Sequence, residues 1–223
     1  MLVALGLVGC RKPSPEAQQN SPSANQPSTN APKPQTQPRT DLGLAAAAVQ
    51  ILNTAHRSGG IILQGECTAD GVGEKYTVPP PSHPEQMAQA FQEISAKYQN
   101  IYWRESQARG VRVIDSTAKG RLLNLRISEF RVVEDLEPDA VMAVLWRQPE
   151  VKAFLRRNHA VFARRNYGAR KVLSPPMILE IKNRTVAEIL DRIAASNRQN
   201  PGKVWIYQEC GGKGTTLIDV RMP

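Results

Sequence analysis

The stretch from Met177 to Met222 admits few folds: "MILEIKNRTVAEILDRIAASNRQNPGKVWIYQECGGKGTTLIDVRM" reads as strand, helix, strand, hairpin and strand. Thr185 and Glu188 have the spacing of a capping box, in which hydroxyl and carboxylate satisfy each other's backbone N–H. Val186, Ile189, Leu190 and Ile193 then recur at helical spacing. Asn200-Pro201-Gly202 stops that helix. Val204 to Glu209 is β-branched and aromatic, and Gly211 to Gly214 turns it into Leu217–Val220. The pattern predicts a helix on one face of a small antiparallel sheet.

Much of the chain upstream repeats this plan. "SHPEQMAQAFQEISAKYQNIYWRESQARGVRVID" offers a second capping box, Ser82 to Glu85, with Met87, Phe91 and Ile94 as the helix stripe. The two hairpins superimpose without a gap: Glu105 on Glu209, Ile114 on Ile218 and Asp115 on Asp219, each pair 104 positions apart. A third, partial echo aligns Ile51-Leu52 with Ile189-Leu190 and Glu66-Cys67 with Glu209-Cys210. Asp41 can cap a helix from Leu42 to about His56, ended by Gly59-Gly60. A strand Ile61–Cys67, a turn Asp70–Glu74 and a short strand Tyr76–Val78 follow, the last blocked by three prolines.

Leu123, Leu125 and Ile127 alternate as a strand, while Phe130 and Val132 take the other parity, so a bulge or break is expected near Ser128. Pro138 and Pro149 suit first-turn positions and predict helices Pro138–Arg147 and Pro149–Asn166. On the second, Val151, Phe154, Leu155 and Phe162 form the apolar stripe, and Gly168 serves as C-cap. The expected fold class is α+β: a first unit over 42–133, a helical insertion over 134–172 and a second β-α-β-β unit over 173–223.

The front of the chain, "MLVALGLVGC", resembles a bacterial lipoprotein signal peptide, with residues 7–10 as its lipobox. The resemblance implies that Cys10 is acylated and anchors the protein to a membrane. Residues 11–41 are rich in Pro, Ser, Gln, Asn and Thr and cannot bury enough apolar surface to order themselves. They are expected to form a disordered tether with about 30 Å of root-mean-square reach. Arg11, where an inner-membrane retention signal carries Asp, favours the outer membrane. Cys67 and Cys210 remain, each preceded by Glu. In an oxidising compartment they are candidates for a disulfide; two buried free thiols fit the sequence equally.

The net charge is +9, and its positive part is concentrated. Lys152, Arg156, Arg157, Arg164 and Arg165 crowd one window and are the candidate anion-binding residues, suited to headgroups or acidic envelope polymers. The competing reading is a solvated helix face. Lys213 is followed by Gly214 and a strand, so "CGGKGTT" is a hairpin turn rather than a phosphate loop. His56, His83 and His159 are isolated, no nucleophile elbow is present, and no cofactor or metal is expected. Glu105 and Asp115 coincide with repeat positions, which assigns them to structure; Trp103, Trp146 and Trp205 read as core.

Residues 42–115, and more loosely 177–222, resemble the short periplasmic domain shared by secretins and TonB-dependent receptors. That resemblance implies a protein–protein docking module without catalytic residues. The expected function is therefore a lipid-anchored, non-enzymatic envelope protein that docks on an envelope partner, with edge strands such as Thr216–Met222 adding to the partner's sheet. The alternative is a binder of an anionic polymer or lipid headgroup. Neither nucleic acid nor a small-molecule substrate is among the expected partners.

Overall fold

Alternating and helical periodicities divide the described residues into twelve strands and five α-helices, with one 3₁₀ turn besides. The computed structural model describes residues 41–105, 110–134, 138–163, 177–196, 203–212 and 214–223. In order they form β1 (Leu42–Gly43), α1 (Leu44–Thr54), β2 (Gly59–Gln64), β3 (Glu66–Thr68), β4 (Gly71–Gly73) and β5 (Thr77–Val78). Next come α2 (Met87–Lys97), β6 (Ile101–Glu105), β7 (Val111–Asp115), β8 (Arg126–Glu134), α3 (Pro138–Trp146) and α4 (Pro149–Arg157). Last are β9 (Ala160–Phe162), β10 (Met177–Thr185), α5 (Val186–Ser196), β11 (Val204–Gly212) and β12 (Thr215–Arg221).

The class is α+β, with helices packed on sheet. The expected units nonetheless interleave: one mixed six-stranded sheet runs β6-β7-β2-β11-β12-β9. Its central strand β2 lies parallel to β7 on one side and to β11 on the other. Strict side-chain alternation gives the sheet two apolar faces. Ile61, Leu63, Val111, Val113, Val204 and Ile206 pack beneath α1 and α2, against Leu52, Phe91 and Ile94. Trp205, Tyr207, Ile218 and Val220 meet α3, α5 and the β8–β10 ribbon through Leu145, Ile189, Ile193 and Phe130.

The two halves are joined by one row across three strands. Arg112 on β7, Gly60 on β2 and Trp205 on β11 stand in register. Trp205 is fully buried because its indole lies over Gly60, where a Cβ would come within 2.2 Å of the ring. The Arg112 guanidinium lies 5.0 Å from the ring centroid and ion-pairs with Asp191 of α5. Trp205 Nε1 donates to the same carboxylate at 2.8 Å. Gly59 is equally constrained, since a Cβ there would lie 2.3 Å from the Val111 carbonyl oxygen. Gly59-Gly60 therefore opens β2; its lack of side chains serves strand packing, not helix termination.

Other expectations shift for identifiable reasons. Leu42 pairs with Val78, so the first helix begins at Leu44 and Asp41 does not cap it. Ser82 to Glu85 is not a cap either: Gln86 N–H donates to the His83 carbonyl, closing a turn before α2 starts at Met87. The expected strand from Leu123 starts only at Arg126, because Arg121–Asn124 forms a 3₁₀ turn entered through Gly120 at φ 53°. Its tightness buries both Leu122 and Leu123. The parity change near Ser128 does coincide with a ladder break: the β8–β10 register is constant but skips the Ser128–Asn183 position, where Asn183 has φ 50°.

The capping box at Thr185 is formed, Thr185 N–H and Oγ both reaching the Glu188 carboxylate and Glu188 N–H donating to Thr185 Oγ. The hairpin kinship holds in plan but not residue by residue. Glu105 pairs with Val111, whereas Glu209 pairs with Ile218, the counterpart of Ile114. That three-residue difference turns the first strand over. Tyr207 faces the α5 layer, while Trp103, its counterpart, faces α2. Nor is Thr216–Met222 a free edge along its whole length, because β9 pairs with Thr216 to Ile218.

Two features tie distant segments to the sheet. Asp115 is fully buried and accepts from Tyr76 Oη at 2.8 Å, Asn100 Nδ2 at 2.7 Å, Thr117 N–H at 2.8 Å and Oγ at 2.6 Å, and Gln64 N–H at 3.1 Å. Burial pushes its pKa up, but the Thr117, Asn100 and Tyr76 hydrogen bonds outweigh this and hold it below the ordinary 3.8. Cys67 on β3 and Cys210 on β11 form a disulfide with Cα atoms 5.4 Å apart and 143 positions between them.

A lowered carboxyl pKa stabilises the fold above the ordinary value and loses that contribution as pH falls through the lowered one. Asp115→Asn is expected to cost about 2 kcal/mol at pH 7, with the gap from the parent narrowing below pH 3.8. Urea unfolding at several pH values measures this. Reduction of the disulfide removes a long-loop constraint worth about 3–5 kcal/mol, read as a lower urea midpoint with and without reductant.

Candidate docking groove

Pro149 starts α4 with its φ already set and no N–H to lose. Glu150 in the same turn accepts from Ser128 Oγ at 2.6 Å and N–H at 3.1 Å. The Ser128 hydroxyl first, then the backbone N–H of Glu150 itself and that of Ser128, hold its pKa below its ordinary value against the effect of burial. The helix start is thereby pinned to β8 where its ladder is interrupted. Val151 is buried, and Phe154 and Leu155 pack against the same core.

The helix ends earlier than its charge pattern suggests. Asn158 donates to the Phe154 carbonyl through both backbone and side chain, at 3.0 and 2.8 Å. His159, at φ 48°, then turns the chain into β9. Phe162, expected on the helix stripe, lies on this strand with its ring 4.7 Å from that of Trp146. Arg156 and Arg157 occupy the last helical turn, where cations complement the helix dipole.

Between α4 and β9 lies an open groove of about 610 Å³. Leu155, Val161 and Phe162 give it an apolar floor, and Lys152, Arg156 and His159 supply its polar wall. Val161 is 46% exposed. Along this groove β9 presents a strand edge. Thr216 N–H donates to the His159 carbonyl and Ala163 N–H to the Ile218 carbonyl, so these groups face β12. By the alternation of a strand, the N–H and C=O groups of Ala160 and Phe162 point the other way. Among the described residues no further strand pairs there.

Of the five candidate cations, the structure brings Lys152 and Arg156 to the groove. Arg157 is exposed on α4 but outside the lining, its Nε donating to the Ala153 carbonyl at 3.4 Å. Arg164 and Arg165 lie outside the described residues, as does Cys10. Helical periodicity places Lys152 and Arg156 on an outward face but also carries Val161 and Phe162 into a longer helix, which hides the strand beneath.

A second cavity, of about 110 Å³, lies behind the groove and is bounded by Arg121, Asn158, Tyr207, Glu209 and Thr216. Its buried carboxylate, Glu209, accepts from Lys119 N–H, from Gly120 N–H at 3.1 Å and from Tyr207 Oη at 2.7 Å. Burial, then the neighbouring charge of Glu209, pushes the Tyr207 phenol far above its ordinary pKa. The phenol and a carboxylate with three donors form a strut between the 3₁₀ turn and β11. Glu105 is instead paired with Arg57 at 2.9 Å on the surface.

Trp146 and Trp205 are buried and Trp103 stacks near Phe91. Among the described residues no His, Cys, Asp or Glu cluster could hold a metal ion, and no helix is long and apolar enough to cross a membrane. Compared with protein-family models, curated proteins and solved structures, the chain matches none of them.

Proposed function

We propose that this chain is a non-enzymatic docking module of the bacterial envelope, anchored by lipid at Cys10 and facing the periplasm from the outer membrane. Its partner is an envelope protein that lays an extended, acidic segment into the α4–β9 groove. The side of β9 that no described strand pairs, beside Lys152 and Arg156, carries this reading. Backbone groups supply affinity in strand addition, and flanking side chains supply choice of partner. The Cys67–Cys210 disulfide supports an oxidising compartment. The resemblance of residues 42–115 to the short secretin and TonB-receptor domain points to the same role.

A second reading rests on the exposure of Lys152, Arg156 and Arg157 on one helix: the face binds an anionic polymer or lipid headgroup. The two readings differ in what they ask of Val161, whose side chain lines the groove without being needed in the core.

Photo-crosslinking from Val161 in envelope extracts should capture a discrete protein. Lys152→Glu with Arg156→Glu, and separately Val161→Asp, should each weaken that complex about tenfold or more. A parent protein that captures nothing above background sinks the docking role. Binding to anionic vesicles or polymer that is abolished by the charge reversals, untouched by Val161→Asp and steeply salt-dependent establishes the second reading instead.

A further inference from the structure

The β8–β10 ribbon stands apart from the main sheet, and β10 has β8 as its sole strand neighbour among the described residues. A trough of about 580 Å³ runs along β10, bounded by Ile178, Glu180, Lys182 and Arg184 and, on α5, by Asp191 and Arg192. No β8 residue lines it, so it opens on the unpaired side of β10. The ribbon's inner face is Leu179 and Ile181 against Val132 and Phe130. On its outer face Glu180 stands opposite Arg131 and Lys182 opposite Glu129. Both β10 charges are exposed, at 56% and 68% of their side chains, and lie 3.8 Å from each other along the strand.

Charges on an edge strand ordinarily prevent pairing with another chain. Here their order is self-complementary. We propose that β10 pairs antiparallel with β10 of a second copy of this chain, about a two-fold axis at Ile181, extending each ribbon into a four-stranded sheet. In that register Glu180 faces the second copy's Lys182, and Lys182 its Glu180. Each outer row then alternates in sign across four strands: Arg131, Glu180, then Lys182 and Glu129 of the second copy. Ile181 meets Ile181 on the inner face.

The neighbouring registers lack this match. Centring on Glu180 opposes two carboxylates, and centring on Lys182 opposes two ammonium groups. Centring on Leu179 sets Glu180 against Ile178. Half-step registers place inner residues beside outer ones, which the buried face of the ribbon forbids. Asn183, at φ 50°, ends the regular edge. The overlap is therefore short, and the dimer forms reversibly with concentration.

Full-length chain carrying Cys10→Ser, with its native disulfide intact, tests the register. Directly opposed residues have Cβ atoms about 4.5–5.5 Å apart and diagonal ones about 7–8 Å, and a disulfide needs the shorter approach. Under mild oxidation a mixture of Glu180→Cys and Lys182→Cys chains should give covalent dimer, and neither variant alone should. In sedimentation equilibrium the unmodified pair should dimerise, with Glu180→Lys weakening association about tenfold, two opposed pairs being lost at once. A monomer at every concentration overturns the proposal. So does crosslinking that is equal in all three samples, or a dimer indifferent to Glu180→Lys.

Discussion

A missing side chain at Gly60 lets the rest of the molecule close. Because β2 is bare at that position, the Trp205 indole lies flat on the sheet and the Arg112 guanidinium reaches over it to Asp191. Three strands and a helix from opposite ends of the sequence meet at this contact. Any Cβ at Gly60 would displace a fully buried tryptophan, and with it the seat of α5. The ion pair is partly buried, and Asp191 also accepts from Trp205 Nε1, so its carboxylate keeps two partners on the protein side.

Local signals were readable in the sequence because they involve residues a few positions apart. The Thr185–Glu188 cap, the prolines opening α3 and α4, and the hairpin turn near Gly214 are of this kind. Pairing was not readable. Nothing in β10 names β8 as its neighbour, and nothing in β2 announces that it will separate two later hairpins. The glycines at 59 and 60 were misread for the same reason: their meaning lies with Val111 and Trp205, far along the chain. The gapless hairpin alignment failed because strand register depends on loop length as well as on apolar spacing.

The groove shows the same division. Helical spacing correctly sets Lys152 and Arg156 on an outward face, yet the same spacing carried the helix past Arg157. Asn158 and His159 end it through capping and a left-handed backbone, and β12 recruits the three residues that follow. The charge run thus marked the place without revealing that a strand edge lies below it. Glu209 was obscured differently: a carboxylate wholly engaged by Tyr207 and two backbone amides looks, in sequence, like any other acid.

The order of the strands also governs how the chain is assembled as it emerges. β2 appears early, but its parallel neighbour β11 is among the last segments made, so the body cannot shut until nearly the whole polypeptide has been delivered. Cys67 likewise waits for a thiol 143 positions away, and the one other cysteine in the sequence is Cys10. A thioether at Cys10 would take the wrong mate out of reach before the right one arrived. With the proposed lipid in place, one end of the protein would safeguard the crosslink at the other.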